Sequence, residues 1–179
     1  AGHDIENESL VNMPNWLPLT LRPEGGQVLR VEDSEPLGYH QELDMARGVL
    51  TRTLRLTHDD GRVTRIVQRR FAHMGRRHLG GLEVEMTPEN WSGRITVRSA
   101  IDGRVYNAQV KRYQQLDNHH LQPLAQGVEG EVVWVKVQTN QSEIRISEAA
   151  RTRVYVNGDE HGCTRTSIEK KGYAGQELS

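Results

Sequence analysis

Apolar residues recur at every second position over much of this chain, and Asx-Gly pairs punctuate the runs. Together these two signals constrain the fold more than any other feature. In "WLPLTLR" the apolar positions are Leu17, Leu19 and Leu21, in "LTRTLRL" Leu50, Leu54 and Leu56, and in "EVVWVKV" Val133, Val135 and Val137. A period of two puts one set of side chains in a core and the other in water, which is the pattern of a half-buried strand. No comparable stripe of helical period accompanies it.

The turn chemistry agrees. Asp60-Gly61, Asp102-Gly103 and Asn157-Gly158 lie between alternating segments, and such pairs readily adopt the positive φ angles of tight hairpin turns. Three hairpins are expected: Val49 to Thr57 with Arg62 to Ala72, Arg94 to Ile101 with Arg104 to Tyr113, and Arg151 to Val156 with Thr164 to Lys170. Loops are expected at Pro23 to Gly26, Asp33 to Gly38, Gly75 to His78, Thr87 to Gly93 and Gly127 to Gly130. Many antiparallel strands at short spacing make an all-β sandwich or barrel.

Size and charge narrow the functional classes. With 179 residues the chain suits a single domain, large enough to bury a core without disulfide staples. Its 23 Lys and Arg offset 24 Asp and Glu, so no basic field draws in nucleic acid or anionic lipid. Cys163 is the sole cysteine, which excludes an internal disulfide. No apolar run approaches the ~20 residues of a membrane span, and no leader opens the chain, so a cytoplasmic protein is expected. The start at Ala1 without Met and the strand-like end "GYAGQELS" read as a fragment of something longer.

Candidate catalytic groups do not assemble into a site. His119 and His120 are adjacent, so on a strand they would point to opposite faces and could not share an ion. His73 and His78 flank the basic turn "MGRR" without a third ligand nearby. Glu83 and Glu85 would face the same way about 7 Å apart, within the range of an inverting glycosidase pair. Leu82, Val84 and Met86 alternate with them, however, which reads as a solvated face opposite a core face. Ser92 lacks the flanking pattern of a nucleophile elbow, and Cys163 with His161 has nothing to orient the imidazole. No phosphate-cradling glycine motif is present.

Two polar-aromatic stretches stand apart. "LVNMPNWLPL" sets Asn12, Asn15 and Trp16 around Pro14, and amides beside an indole can serve sugar hydroxyls and sugar faces. The plainer expectation is that Trp16 plugs a sheet edge while the amides cap turns. "RIVQRRFAHMGRRH" places Arg65 and Arg69 on one face with Val63 and Phe71, marking either a solvated charged face or an interface of guanidinium-carboxylate pairs. In "MTPENWSG", Pro88 should end a strand near Met86, with Trp91 anchoring the corner.

The strings "LVNMPNWLPLTL", "LDMARGVLTRTLRL", "RRFAHM", "HLGGLEVEMTPENWSGRITVRSAIDGRVYNAQVKRY" and "HLQPL" together resemble the N-terminal domain of glycoside hydrolase family 65. The resemblance runs in order from about Leu10 to Leu124 and more loosely to the end. That family comprises maltose, trehalose, kojibiose and related disaccharide phosphorylases, with some hydrolases. The resemblance implies an antiparallel β-supersandwich of two large packed sheets, one domain over 1–179. In the family this domain precedes a helical linker and an (α/α)-barrel whose general-acid Glu and phosphate-binding residues match nothing in this chain. Intact enzymes of this type invert an α-glucosidic disaccharide, with phosphate or activated water attacking opposite a carboxylic acid. They use no metal or organic cofactor, inorganic phosphate being a co-substrate in the phosphorylases.

What the resemblance implies for this chain is a structural role: packing on its own catalytic barrel and taking part in homodimer contacts, with neither nucleic acid nor membrane as partner. Asn12, Asn15 and Trp16 match the family's Asn-Pro-Asn-Trp signature, which leaves three places for them: against the barrel, against a sugar or in the domain's own core. The alternatives are a stand-alone carbohydrate-binding module, marked by exposed Trp16 and Trp91, and an independent glycosidase with Glu83 and Glu85 in a cleft. A fragment of this kind should leave a large apolar patch open.

Overall fold

The computed structural model describes residues 10–29, 36–107 and 118–179. It divides into two compact units, one formed by Ala1–Leu19 with Val97–Ser179 and the other by Thr20–Thr96. Every strand pairing with a register is antiparallel, and the described residues contain no helix, so the all-β class expected from the alternation holds. β1 (Leu19–Pro23) opens the second unit, and β6 (Ile95–Asp102) carries the chain back into the first.

The unit over 20–96 is built on four strands in sequence order: β2 (Pro36–Asp44), β3 (Val49–Thr57), β4 (Val63–Ala72) and β5 (Gly80–Pro88). The β3–β4 hairpin turns at Asp60-Gly61 as expected. Gly61 takes φ 81°, the His58 amide donates to the Arg62 carbonyl, and the Asp60 carboxylate accepts from the Arg62 amide. Register fixes which side chains share a face. Leu54 lies beside Ile66 and Ile66 beside Met86, while Arg69 lies beside Glu83 on the opposite side of the sheet.

One face is therefore apolar toward its buried end, where Leu54, Leu56, Thr64 and Ile66 are sequestered. The other carries charge. Arg69 reaches both Glu83 and Glu85 at 3.4 Å, and Arg55 pairs with Glu89 at 2.7 Å. Val67, beside Glu85 on the same face, is nevertheless buried. The solvated-face reading of Glu83 and Glu85 and the paired reading of the arginine stretch thus describe one surface. β5 continues two residues beyond Met86 to Pro88. A proline is accommodated there because β5 is an edge strand with no outer ladder to feed.

The other unit is a sandwich in its own right. One layer holds β6, β13 (Tyr173–Leu178) and β12 (Arg165–Lys170) side by side, and the second holds β7 (Leu121–Glu129), β8 (Val132–Thr139) and β9 (Arg145–Arg151). Their inner faces meet at Ile101, Val133, Val135 and Ala174. Burying each of the larger of these contributes about 1.5–3 kcal/mol. Gln176 is buried among them and satisfied, donating to the Gly130 carbonyl and accepting from Arg165.

Four expectations change here. Pro36–Gly38 of the loop expected at Asp33 to Gly38 belong to β2, and 33–35 lie outside the described residues. β6 pairs antiparallel with β13 and not with the segment after Gly103, where Arg104–Asn107 form no strand and 108–113 lie outside the described residues. Asn157-Gly158 does make a tight turn, but it closes only the two-residue ladder of β10 (Tyr155–Val156) and β11 (Asp159–Glu160), while β12 pairs with β13. Gly127–Glu129 belong to β7, and that hairpin turns at Gly130-Glu131 instead.

Candidate functional site

The first unit carries an open cleft of about 480 Å³. Asn12 through Trp16 form one wall, and Asp102, Arg104, Val105 and Tyr106 the other. The walls come from distant parts of the chain and are held by backbone. Asn15 and Asp102 exchange amide-to-carbonyl bonds of 2.7 and 2.8 Å, and the Ala100 amide donates to the Pro18 carbonyl.

Each of the two asparagines commits one side-chain atom to this framework. Asn12 donates its side-chain amide to the Tyr106 carbonyl at 3.2 Å, and its backbone amide donates to the Asn107 side chain at 3.0 Å. Asn107 in turn donates to the Leu10 carbonyl. The Asn15 side-chain oxygen accepts from the Leu17 amide. The Asn15 contact is a local turn cap, the plainer of the two expectations, whereas Asn12 and Asn107 tie two distant segments together.

Trp16 is half-buried and also lines the cleft. Opposite it, Tyr106 is 54% exposed and stacks on His119 with centroids 5.7 Å apart. Arg104 grips Asp102 through two side-chain bonds of 2.8 and 2.7 Å and lies 4.8 Å from the Tyr173 ring centre. The Asp102-Gly103 pair thus has a role other than the hairpin expected of it. The Asp102 carboxylate also accepts from the Arg104 amide, and Gly103 sits where a Cβ would come within 2.8 Å of Val137.

These contacts set the electrostatics. The Arg104 guanidinium holds the Asp102 carboxyl below the usual carboxylate range, against the opposing effect of burial. The same pair raises Arg104, and burial raises the Tyr173 phenol. Asp102 is therefore a fixed anion with no proton to give at neutral pH. Glu148 on β9 is the contrasting carboxyl, pushed up to about 7 by burial, but it does not line the cleft.

The remaining candidates are dispersed. Glu83 and Glu85 are exposed on the charged face of the other unit, tied to Arg69 and not set in a cleft. Trp91 anchors its corner: the indole N–H donates to the Thr64 hydroxyl at 3.0 Å, and the Arg62 guanidinium lies 5.2 Å from the ring centre. Asn90 bridges the same corner, accepting from the Val63 amide and donating to the Gly61 carbonyl. Ser92 is exposed, as is His161, whereas Cys163 is half-buried. His73 caps the loop after β4, accepting from the Gly75 and Arg76 amides. Among the described residues no group of three His, Cys, Asp or Glu is placed to hold a metal ion.

Comparison with known proteins follows the same lines. The chain is 45% identical over 157 residues to an uncharacterized glycosyl hydrolase of Mycobacterium tuberculosis, covering 88% of this chain and 12% of that protein. It is 29% identical over 158 residues to kojibiose phosphorylase of Thermoanaerobacter brockii, covering 85% of this chain and 19% of that enzyme. The chain therefore spans less than a fifth of the length of either relative. The solved structure of a "Putative kojibiose phosphorylase from human microbiome" superposes with a TM-score of 0.75 at 11% identity, over 93% of this chain and 20% of that one, which shows a shared fold. The model of the glycosyl hydrolase family 65 N-terminal domain matches residues 1–179, and the chain belongs to that family.

Proposed function

We propose that this is the non-catalytic structural domain of an α-glucosidic disaccharide phosphorylase or hydrolase of carbohydrate metabolism. In this reading the domain packs on the enzyme's catalytic barrel and supports its dimerisation. The intact protein is cytoplasmic and acts on kojibiose, trehalose or maltose, with inorganic phosphate as co-substrate if it is a phosphorylase. The observation that carries the reading is the family match over the whole chain, set against relatives many times longer. The cleft supports it as well, since Asp102, the one carboxylate on its walls among the described residues, is locked to Arg104 and held ionised.

A second reading rests on the cleft itself. Trp16 and Tyr106 offer aromatic rings to a sugar, in the manner of a carbohydrate-binding module. Titrating the purified chain with kojibiose, trehalose and maltose in phosphate buffer, with released glucose and glucose phosphate assayed, separates the two. The structural role predicts neither heat nor product. Heat without product, abolished in W16A, establishes the binding module, and product of either kind overturns the non-catalytic reading.

A further inference from the structure

The two faces of the β2–β5 sheet treat their arginines differently. On the charged face, Arg55 and Arg69 have carboxylates within reach and Arg65 is exposed to solvent. On the other face, Arg52 and Arg70 have none among the described residues. Register puts Arg52 between Gln41 and Gln68, and Arg70 between Leu50 and Leu82, both on the side that carries Leu43 and Val84. The sequence already marks Arg52 as foreign there, since it stands in the inward alternation Leu50, Arg52, Leu54, Leu56.

A guanidinium set in an apolar face is costly unless something accepts its hydrogen bonds. The Arg52 Nε is buried and has no acceptor among the described residues, and its guanidinium lies 5.6 Å from the centre of the Tyr39 ring. Around these cations the face is open: Tyr39 and Leu43 are each 54% exposed. Such a face, apolar with two cations that no carboxylate among the described residues compensates, is complementary to a surface of apolar side chains interrupted by carboxylates. It is not complementary to itself. The carboxylates of β2 and β5, namely Glu42, Asp44, Glu83 and Glu85, all occupy alternate positions on the opposite face, so two copies meeting here would oppose cation to cation.

We propose that the open end of the β2–β5 face, around Arg52 and Arg70, docks on a carboxylate-bearing surface of the catalytic domain in the longer protein. This rests on the structural reading given under the proposed function, and it adds the surface, its two anchors and the chemistry of what they meet. Each guanidinium offers forked donors that match a carboxylate pairwise, so the contact fixes orientation as well as adhesion.

The test uses the full-length protein with R52K and R70K, treated with a carbodiimide that joins amines to carboxylates without a spacer. Peptide mapping of a mixture of isotopically light and heavy protein tells links within one chain from links between copies. The expected result is a link from position 52 or 70 to an Asp or Glu outside residues 1–179 of the same chain. Links confined to residues 1–179, links only between copies, or no links at these positions while other lysines react, overturn the proposal. A second variant, R52E with R70E, should release the domain about tenfold faster in limited proteolysis of the full-length protein, as expected for loss of desolvated charge pairs, whereas E83K on the opposite face should not. If the wild-type protein unfolds as one unit and R52E with R70E leaves that and the proteolysis rate unchanged, the docking surface lies elsewhere and the structural reading stands. If the domain melts independently in the wild type, the structural reading fails with it.

Discussion

The indole N–H of Trp91 donates to the hydroxyl of Thr64, 3.0 Å away, and Thr64 is completely buried. The same hydroxyl lies 2.8 Å from His58 Nε2, so one threonine joins a tryptophan and a histidine beneath the corner that follows β5. Thr64→Val keeps the shape and removes the shared oxygen. The expected loss is about 1–3 kcal/mol, because the indole N–H is left without a partner. Trp91→Phe made alone should cost less, and the double variant should fall short of the sum of the singles, in chemical denaturation at neutral pH.

His58 gives that corner a pH dependence. Burial lowers its pKa below the ordinary histidine value, and the Arg62 charge lowers it further. Between the folded value and about 6.5 the unfolded chain binds the extra proton, so stability is full above that range and is lost as pH falls through it. Urea unfolding from about pH 7.5 down to about pH 5 should show this loss, and His58→Gln should flatten the profile in that window.

Glu148 acts in the opposite direction. Its pKa is raised from 4.5 to about 7 by burial, so the folded state holds a proton that the unfolded state has released. Its contribution to stability is present below about pH 4.5 and is lost as pH rises to about 7. Because the side chain is partly exposed, solvent screening trims the effect. Glu148→Gln should stabilise the chain by about 1 kcal/mol near pH 8 and leave it unchanged near pH 4.

Gly172 joins β12 to β13 with φ 74°, and its carbonyl accepts from the Gly103 amide. A Cβ there would stand 2.8 Å from Pro123 and 3.1 Å from Arg104, against the residues behind the cleft wall. Gly172→Ala should cost about 1–3 kcal/mol in thermal or chemical unfolding, from left-handed strain and crowding together.

The strands were legible where the pairing is local. The period-two runs give β3, β4 and β8, and the Asp60-Gly61 turn gives the hairpin between β3 and β4. The alternation of Leu82, Val84 and Met86 with Glu83 and Glu85 also assigns both faces of β5. The long-range partner of β6 was not legible, because Tyr173 meets Asp102 across a separation that no local turn signal encodes. The cleft was half legible for the same reason. "NMPNW" marks itself by composition, whereas Asp102, Arg104 and Tyr106 carry no mark until the Asn15 to Asp102 bridge brings them opposite. Asn90 gave no signal beyond its place in "PENWSG", since its two bonds reach back to residues on the preceding hairpin.

The most direct measurement is the half-life of disaccharide phosphorolysis or hydrolysis at elevated temperature, for the full-length protein and for the same protein lacking residues 1–179. A structural domain predicts that the shortened protein retains the chemistry when fresh but loses it about tenfold sooner, since removing a packed domain lowers the barrier to irreversible unfolding. An unchanged half-life, or turnover by residues 1–179 alone, would contradict it.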